Sequence, residues 1–308
     1  MGNVGSQSAM EYLMTYGWAI LIVAVILGAL YSLGIFNSSN FMPKAPPGGC
    51  NTFRPKGPGS SFNVQLVGSC NNALPQYVAQ FGGAKSSVVA RNPASMSDML
   101  NITVVAWVMP LGDPNAATFV STIGQTGYGG SDAFTLGTDC GWDDCGPPND
   151  VETFYIENQS NGELDMGNFP NALKSGTWYM VAATTRGTPD FAGSYALYLN
   201  GVAVQSGGGA GIYSIKMPID IGSMVGWSGT GGFTGDIADV QIYNISLPSN
   251  SIQYLYREGI GGDPISLYGL VGWWPLNGDT LDYSGNGNNG VPANIIFNGT
   301  WTSGYAIT

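Results

Sequence analysis

YALYLNGVAVQ, residues 195–205, decides the fold. Tyr195, Leu197 and Leu199 alternate toward the dipeptide Asn200-Gly201, and Val202 and Val204 resume the alternation beyond it. Successive side chains of a strand turn to opposite faces, so each alternating set shares one face. Asn-Gly between two such runs suits a two-residue hairpin turn, whose central residues both need positive φ. The stretch therefore reads as a β-hairpin.

Outward from it, short runs rich in Val, Ile, Thr, Tyr and Phe recur between Gly, Asn and Pro clusters. Examples are QYVAQF (76–81), NITVVAWVMP (101–110), TFVSTIG (118–124), DAFTLGT (132–138), WYMVAATTR (178–186), IDIGSMVGW (219–227) and GDIADVQIYN (235–244). Many short strands with turn signals between them predict a mainly β fold, an antiparallel sandwich. One helix is expected within it, in LPSNSIQYLYREG (247–259), with Ser249 or Asn250 as cap, Ile252, Leu255 and Tyr256 as apolar face and Gly259 as stop.

The composition agrees. Charged residues are 9% of 308, and Gly (47) and Pro (18) are abundant, which is a secreted all-β profile. Nine basic residues are scattered singly against 20 acidic ones, for a net charge of −11, and this excludes nucleic-acid binding. Histidine is absent, so Ser-His-Asp and Cys-His nucleophiles are excluded, and no E-x-D-x-E string supplies paired glycosidase carboxylates. The chain is not expected to be an enzyme.

The N-terminus is of another kind. SQSAMEYLMTYGWAILIVAVILGALYSLGIF (6–36) carries no charge from Tyr12 to Phe36, enough as a helix to cover the ~30 Å hydrocarbon core of a bilayer. GSQSAMEYLMTYGWAILIVAVILGALYSLGIF resembles the N-terminus of archaeal type IV pilin-like proteins, whose class III signal peptide is cut before such a Q-S-A-x-E-Y sequence. The resemblance implies a leader over 1–6, cleavage between Ser6 and Gln7, a pilin-like helix over 7–36, and Glu11 meeting the new N-terminal amine of a neighbouring subunit. An ionised carboxylate beside apolar surface needs such a cation. Gly17, Gly28 and Gly34 would permit close helix approach. A plain membrane-anchoring helix is the alternative.

NSSNFMPKAPPGGCNTFRPKGPGSSF (37–62), dense in Pro, Gly and Ser, reads as an extended stalk over 37–61. Four cysteines outside a membrane suggest two disulfides, Cys50–Cys70 and Cys140–Cys145 by nearness in sequence, although three pairings are open. Cys140 and Cys145 as two thiolates on zinc is the competing reading. Five N-x-S/T sequons, at Asn37, Asn101, Asn158, Asn244 and Asn298, are candidate N-glycosylation sites and fit an exported chain.

Within the head, residues 62–308, the motifs NITVVAWVMP, TWYMVAATTR, SYALYLNGVAVQSG, IDIGSM and FTGDIADVQIYNISLPSNSIQYLY follow in order the strands of laminin-G-like domains of the concanavalin-like jelly roll. This resemblance spans roughly residues 77–259. LVGWWPLNGDTLDYSGNGNNGVPANIIFNGTW (270–301) resembles the segment that normally opens such a domain. It is expected to complete the sandwich in permuted order, with donation to a neighbouring subunit or a truncated second domain as alternatives. Strand alternation turns one of Trp273 and Trp274 inward and the other outward.

Two loops carry candidate ligands. Asp282, Asn286 and Asn288, in DYSGNGNNG, offer oxygens on a Gly-punctuated loop that suits calcium; the alternative is that Asn and Gly only supply left-handed turn conformations. Trp142, Asp143 and Asp144 combine an aromatic face with carboxylates, as glycan binding requires, or are a solvated surface loop. The main expectation is a structural subunit of an archaeal surface filament, a homopolymer held by its helices and in the membrane before assembly, with heads that bind glycans or other cells. The alternative is a membrane-tethered carbohydrate-binding protein.

Overall fold

The computed structural model describes residues 7–32, 75–90, 101–112, 117–122, 134–139, 153–154, 173–187, 193–210, 218–223 and 231–301. The chain divides into two compact units, one of residues 1–45 with 66–70 and one of residues 46–65 with 71–308.

The described part of the first unit is a helix, α1 (Gln7–Ser32). Its described side chains, residues 16–28, are uncharged and all exposed. Among the described residues, no helix is long and apolar enough to cross a membrane; the expected membrane-crossing helix over 7–36 extends beyond them. A Cβ at Gly17 or Gly28 would meet nothing within 4 Å.

The second unit is the predicted sandwich. Its strands are β1 (Val78–Gly82), β2 (Ser87–Ala90), β3 (Asn101–Pro110), β4 (Ala117–Ser121), β5 (Thr135–Asp139), β6 (Thr153–Phe154), β7 (Tyr179–Arg186), β8 (Gly193–Leu199) and β9 (Val202–Ala210). There follow β10 (Ile219–Ile221), β11 (Gly231–Gly232), β12 (Thr234–Tyr243), helix α2 (Ser249–Glu258), β13 (Leu270–Trp274), β14 (Gly290–Ala293) and β15 (Ile295–Asn298). One sheet of eight strands runs β15-β1-β12-β3-β7-β8-β9, with β13 also on β12. The other, of seven, runs β14-β2-β10-β4-β5-β6, with β11 on β4. Pairing is antiparallel except between β11 and β4.

Between the sheets lies an apolar core that includes Phe81, Val104, Val108, Phe119, Leu136, Val181, Ile221, Ile237 and Trp274. A second apolar layer covers the far face of the eight-stranded sheet, where Val105, Trp107, Met180, Tyr198 and Trp273 pack beneath Ile252 and Leu255 of α2. Trp107 stacks on Tyr256 at 5.7 Å between centroids. The hairpin 195–205 forms as read: Asn200 (φ 50°) and Gly201 (φ 78°) make the turn between β8 and β9. The turn is pinned to β7, because Met180 N–H donates to Asn200 Oδ1 at 3.0 Å and Asn200 N–H donates to the Met180 carbonyl at 2.8 Å. A Cβ at Gly201 would sit 2.8 Å from Tyr256 Cβ, so glycine is needed for approach as well as for conformation.

Two local readings are corrected. The N-cap of α2 is Pro248, without a side-chain cap bond. Ser249 Oγ instead lies 3.1 Å from Tyr198 Oη, and Asn250 Oδ1 accepts from Ser251 N–H at 3.0 Å, so neither hydroxyl nor amide is placed to cap. Gly259 does end the helix, at φ 80°. Trp274 does point into the core between the sheets, but Trp273 on the opposite face is not exposed, because the second layer buries it.

Residues 270–301 join the sandwich of their own chain. β13 pairs with β12, β14 with β2 and β15 with β1. Trp301 ends the described chain in the second layer, edge-on to Trp178 at 5.6 Å, with its Nε1–H donated to the Pro75 carbonyl at 3.1 Å.

Candidate functional site

The loop 282–290 was the first candidate, and its geometry shows what its residues do. Among the described strands β13 has β12 on one side only; its other edge would expose unpaired backbone groups. The loop supplies them. Trp273 N–H donates to Asp282 Oδ1 at 3.0 Å, as does Ser284 N–H at 2.8 Å, while Asn288 N–H donates to Asp282 Oδ2 at 2.8 Å. Asn286 Nδ2 donates to the carbonyls of Leu270 (2.8 Å) and Val271 (2.9 Å), and Asn288 Nδ2 donates to Val271 (2.9 Å). The carboxylate stands in for a strand's carbonyl and the amides for its N–H groups.

Calcium needs several oxygens turned toward one point. Here both Asp282 oxygens face N–H donors on a fully buried side chain, and the two amides present nitrogen to the strand, so the residues do not fit the ion. Among the described residues, no group of three or more His, Cys, Asp or Glu is placed to hold a metal. Gly285 (φ 91°) and Gly287 (φ 76°) supply the left-handed conformations; the asparagines between and beside them do not have positive φ and serve through their amides.

A neighbouring network holds β13 from the other side. Against β3, the register of β12 shifts between Ala238 and Gln241, and Asp239 sits in this irregularity at φ 48°. Its carboxylate accepts from Trp273 Nε1–H at 2.8 Å and Gln241 Nε2–H at 3.0 Å, and Gln241 Oε1 accepts from Tyr243 Oη–H at 2.7 Å. Burial raises the Tyr243 hydroxyl pKa most, and the nearby Asp239 charge raises it further. This is packing chemistry, with every group committed internally.

The seven-stranded sheet carries one hydroxyl that is not so committed. Ile219 and Ile221 lie in the core, so Asp220 between them faces the other way; Phe134 and Leu136 do the same for Thr135. Register aligns these residues across four strands: Val89 of β2 opposite Asp220 of β10, Asp220 opposite Ser121 of β4, and Ser121 opposite Thr135 of β5. At ~4.8 Å per strand this row is about 14 Å long. Asp220, Ser121 and Thr135 are buried. Ser121 Oγ donates to the Ser223 carbonyl at 3.2 Å, whereas Thr135 Oγ1 is buried without a hydrogen-bond partner among the described residues. Nothing in the sequence reading singled out these three. The available signal was a single polar residue between apolar ones, as in IDI (219–221) and FTL (134–136).

The other predicted residues are placed as follows. Ser6, Gly34, Asn37, Cys50, Cys70, Cys140, Trp142, Asp143, Asp144, Cys145 and Asn158 lie outside the described residues, as do both disulfide pairings. Gln7 and Glu11 fall within α1, with their side chains outside the described set. Asn101 opens β3, Asn298 closes β15 and Asn244 follows β12.

Two packed, mainly antiparallel sheets with an outer helix define a jelly-roll-like β-sandwich. The profile of the concanavalin A-like lectin/glucanases superfamily matches residues 81–253, more than half of the chain, and the chain belongs to that superfamily. It is also similar to a Bacteroides ovatus protein whose name gives carbohydrate binding as its supposed role (TM-score 0.51, 19% identity, 73% of this chain and 60% of that one covered). A second similar structure is the heptameric SAP-like pentraxin of Limulus polyphemus (TM-score 0.52, 14% identity, 73% and 96% covered). At these identities the likeness is one of fold. This chain spans about 60% of the Bacteroides ovatus protein's length. No curated protein matches it.

Proposed function

We propose that this chain is a carbohydrate-binding protein of the cell surface, non-catalytic, with its ligand held on the outward row of the seven-stranded sheet. The observation that carries the reading is Thr135 Oγ1, buried and without a partner beside Ser121 and Asp220. An unsatisfied buried hydroxyl costs about 1–3 kcal/mol, which a ligand hydroxyl would recover. A row of hydroxyls ending at a carboxylate suits a polyol, whose hydroxyls both donate and accept. Membership of the lectin/glucanase superfamily and the name of the Bacteroides ovatus relative support the same class. The side chains of the row are buried, so binding requires the face to be uncovered.

A glycan array with the full chain tests the function, and Thr135→Val tests the site. Thr135→Val keeps the shape and removes the hydroxyl; glycan binding falls at least about tenfold, the effect of one lost hydrogen bond of ~1.4 kcal/mol, while stability is kept or rises. A blank array removes the function, and unchanged binding by the variant removes the site.

The filament reading draws on a separate observation, the uniformly exposed apolar side chains of residues 16–28 of α1. Exposed apolar side chains along a helix are covered by neighbours of its own kind or by lipid. Glu11→Lys abolishing assembly while the head stays folded is the expected result for a filament; normal filaments from that variant rule it out.

A further inference from the structure

Asn101, Asn244 and Asn298 are the sequon asparagines within the described residues, and the fold treats them differently. Asn101 starts β3, a strand paired on both sides, and its sequon partner Thr103 is buried with Oγ1 donating to the Ile245 carbonyl at 2.7 Å. Asn101 Oδ1 is itself sealed from solvent. Presenting this sequon to an enzyme means withdrawing the start of a central strand from Arg186, Thr185 and Thr184 of β7.

Asn298 is only half-buried, but its amide is in use. Nδ2 donates to Oδ2 of the buried Asp236 at 3.2 Å, and Oδ1 accepts from Thr300 N–H (2.9 Å) and Thr300 Oγ1–H (3.0 Å). A sugar on Nδ2 would replace one of its hydrogens and crowd a carboxylate whose other oxygen, Oδ1, already has no partner. The sequon hydroxyl is likewise folded back on its own asparagine.

Asn244 differs on each count. It is exposed, lies at the bend where the chain leaves β12 for α2, and its amide makes no side-chain hydrogen bond among the described residues. Its backbone is nevertheless anchored, with N–H donated to the Gly269 carbonyl at 2.7 Å, so the side chain stands at a defined place on the surface. Ser246 completes the sequon two residues on, outside any strand or helix.

The structure assigns Asn244 as the N-glycan acceptor among these three: the folded head takes an oligosaccharide there and refuses it at Asn101 and Asn298. In the cell this rests on the surface reading above, since only an exported chain meets the transferase. The chemistry is a balanced transfer, in which the Asn244 Nδ2 forms the bond to the sugar's anomeric carbon, loses one proton and displaces the lipid-linked diphosphate.

The test uses the folded full chain, incubated with an oligosaccharyltransferase and a lipid-linked oligosaccharide, with site occupancy read by glycopeptide mass spectrometry. The expected result is occupancy at Asn244 at least about tenfold above that at Asn101 or Asn298, because each of the latter must first open locally. Asn244→Gln removes the signal at that site without creating one at the other two. Equal or higher occupancy at Asn298 or Asn101, or none at Asn244, overturns the assignment. The assay does not depend on where the chain resides or what it binds, so failure of the surface reading would show separately, in the glycan array.

Discussion

Asp282→Ala is the sharpest test of the reading of loop 282–290. The substitution leaves the Trp273, Ser284 and Asn288 N–H groups without the acceptor that they share. A buried donor left unpaired costs about 1–3 kcal/mol, and the two at Trp273 and Asn288 are on buried residues, so a loss of about 2–6 kcal/mol is expected. With a urea m-value of about 3 kcal/mol per molar, the unfolding midpoint falls by about 0.7–2 M. Asp282→Asn keeps one acceptor but turns an N–H toward Asn288 N–H, and falls between the two. Equilibrium urea unfolding is run with calcium and with EDTA. If the loop replaces a missing strand, both curves of the unmodified chain coincide and Asp282→Ala shifts in either. An EDTA-sensitive midpoint that the substitution abolishes would mean that the carboxylate holds a cation, and a shift under about 0.3 M that it holds nothing.

Asp236 is buried with one oxygen unpartnered, and its pKa is raised above 3.8, chiefly by burial, against hydrogen bonds from Asn298 and Gln80 that lower it. A carboxyl whose folded pKa lies above its unfolded one supports the fold fully below about pH 3.8 and loses that contribution as pH rises through the folded value. Asp236→Asn should therefore stabilise the head at neutral pH, by about 1 kcal/mol, and flatten this part of the stability profile measured by urea unfolding at several pH values. Equal stability of the two proteins at pH 7 would count against a strained carboxylate. Trp301→Ala removes a buried ring packed on Trp178 and should cost about 3–5 kcal/mol; a loss under about 1 would mean that this ring does not close the second layer.

The hairpin at 195–205, the run of strands around it and the stop of α2 at Gly259 were legible because each depends on neighbours in sequence. A period of two, an Asn-Gly pair and a terminal glycine act through local conformation. The chemistry of DYSGNGNNG was legible only by half. Oxygen-rich side chains on a glycine loop look the same whether they face an ion or a strand edge, and only the place of β13, with one neighbour instead of two, shows which.

By itself, then, the sequence determined the β-sandwich class, the hairpin turn, the absence of histidine chemistry and the uncharged run that follows Glu11. The tertiary structure alone decided that Trp273 is buried from the outer side, that Asp282 and two asparagines finish β13, and that Asp220, Ser121 and Thr135 fall in one row. The physical reason is separation along the chain. Asp220 and Ser121 meet only through a register between strands about a hundred residues apart, and no local propensity records which strand will be the neighbour.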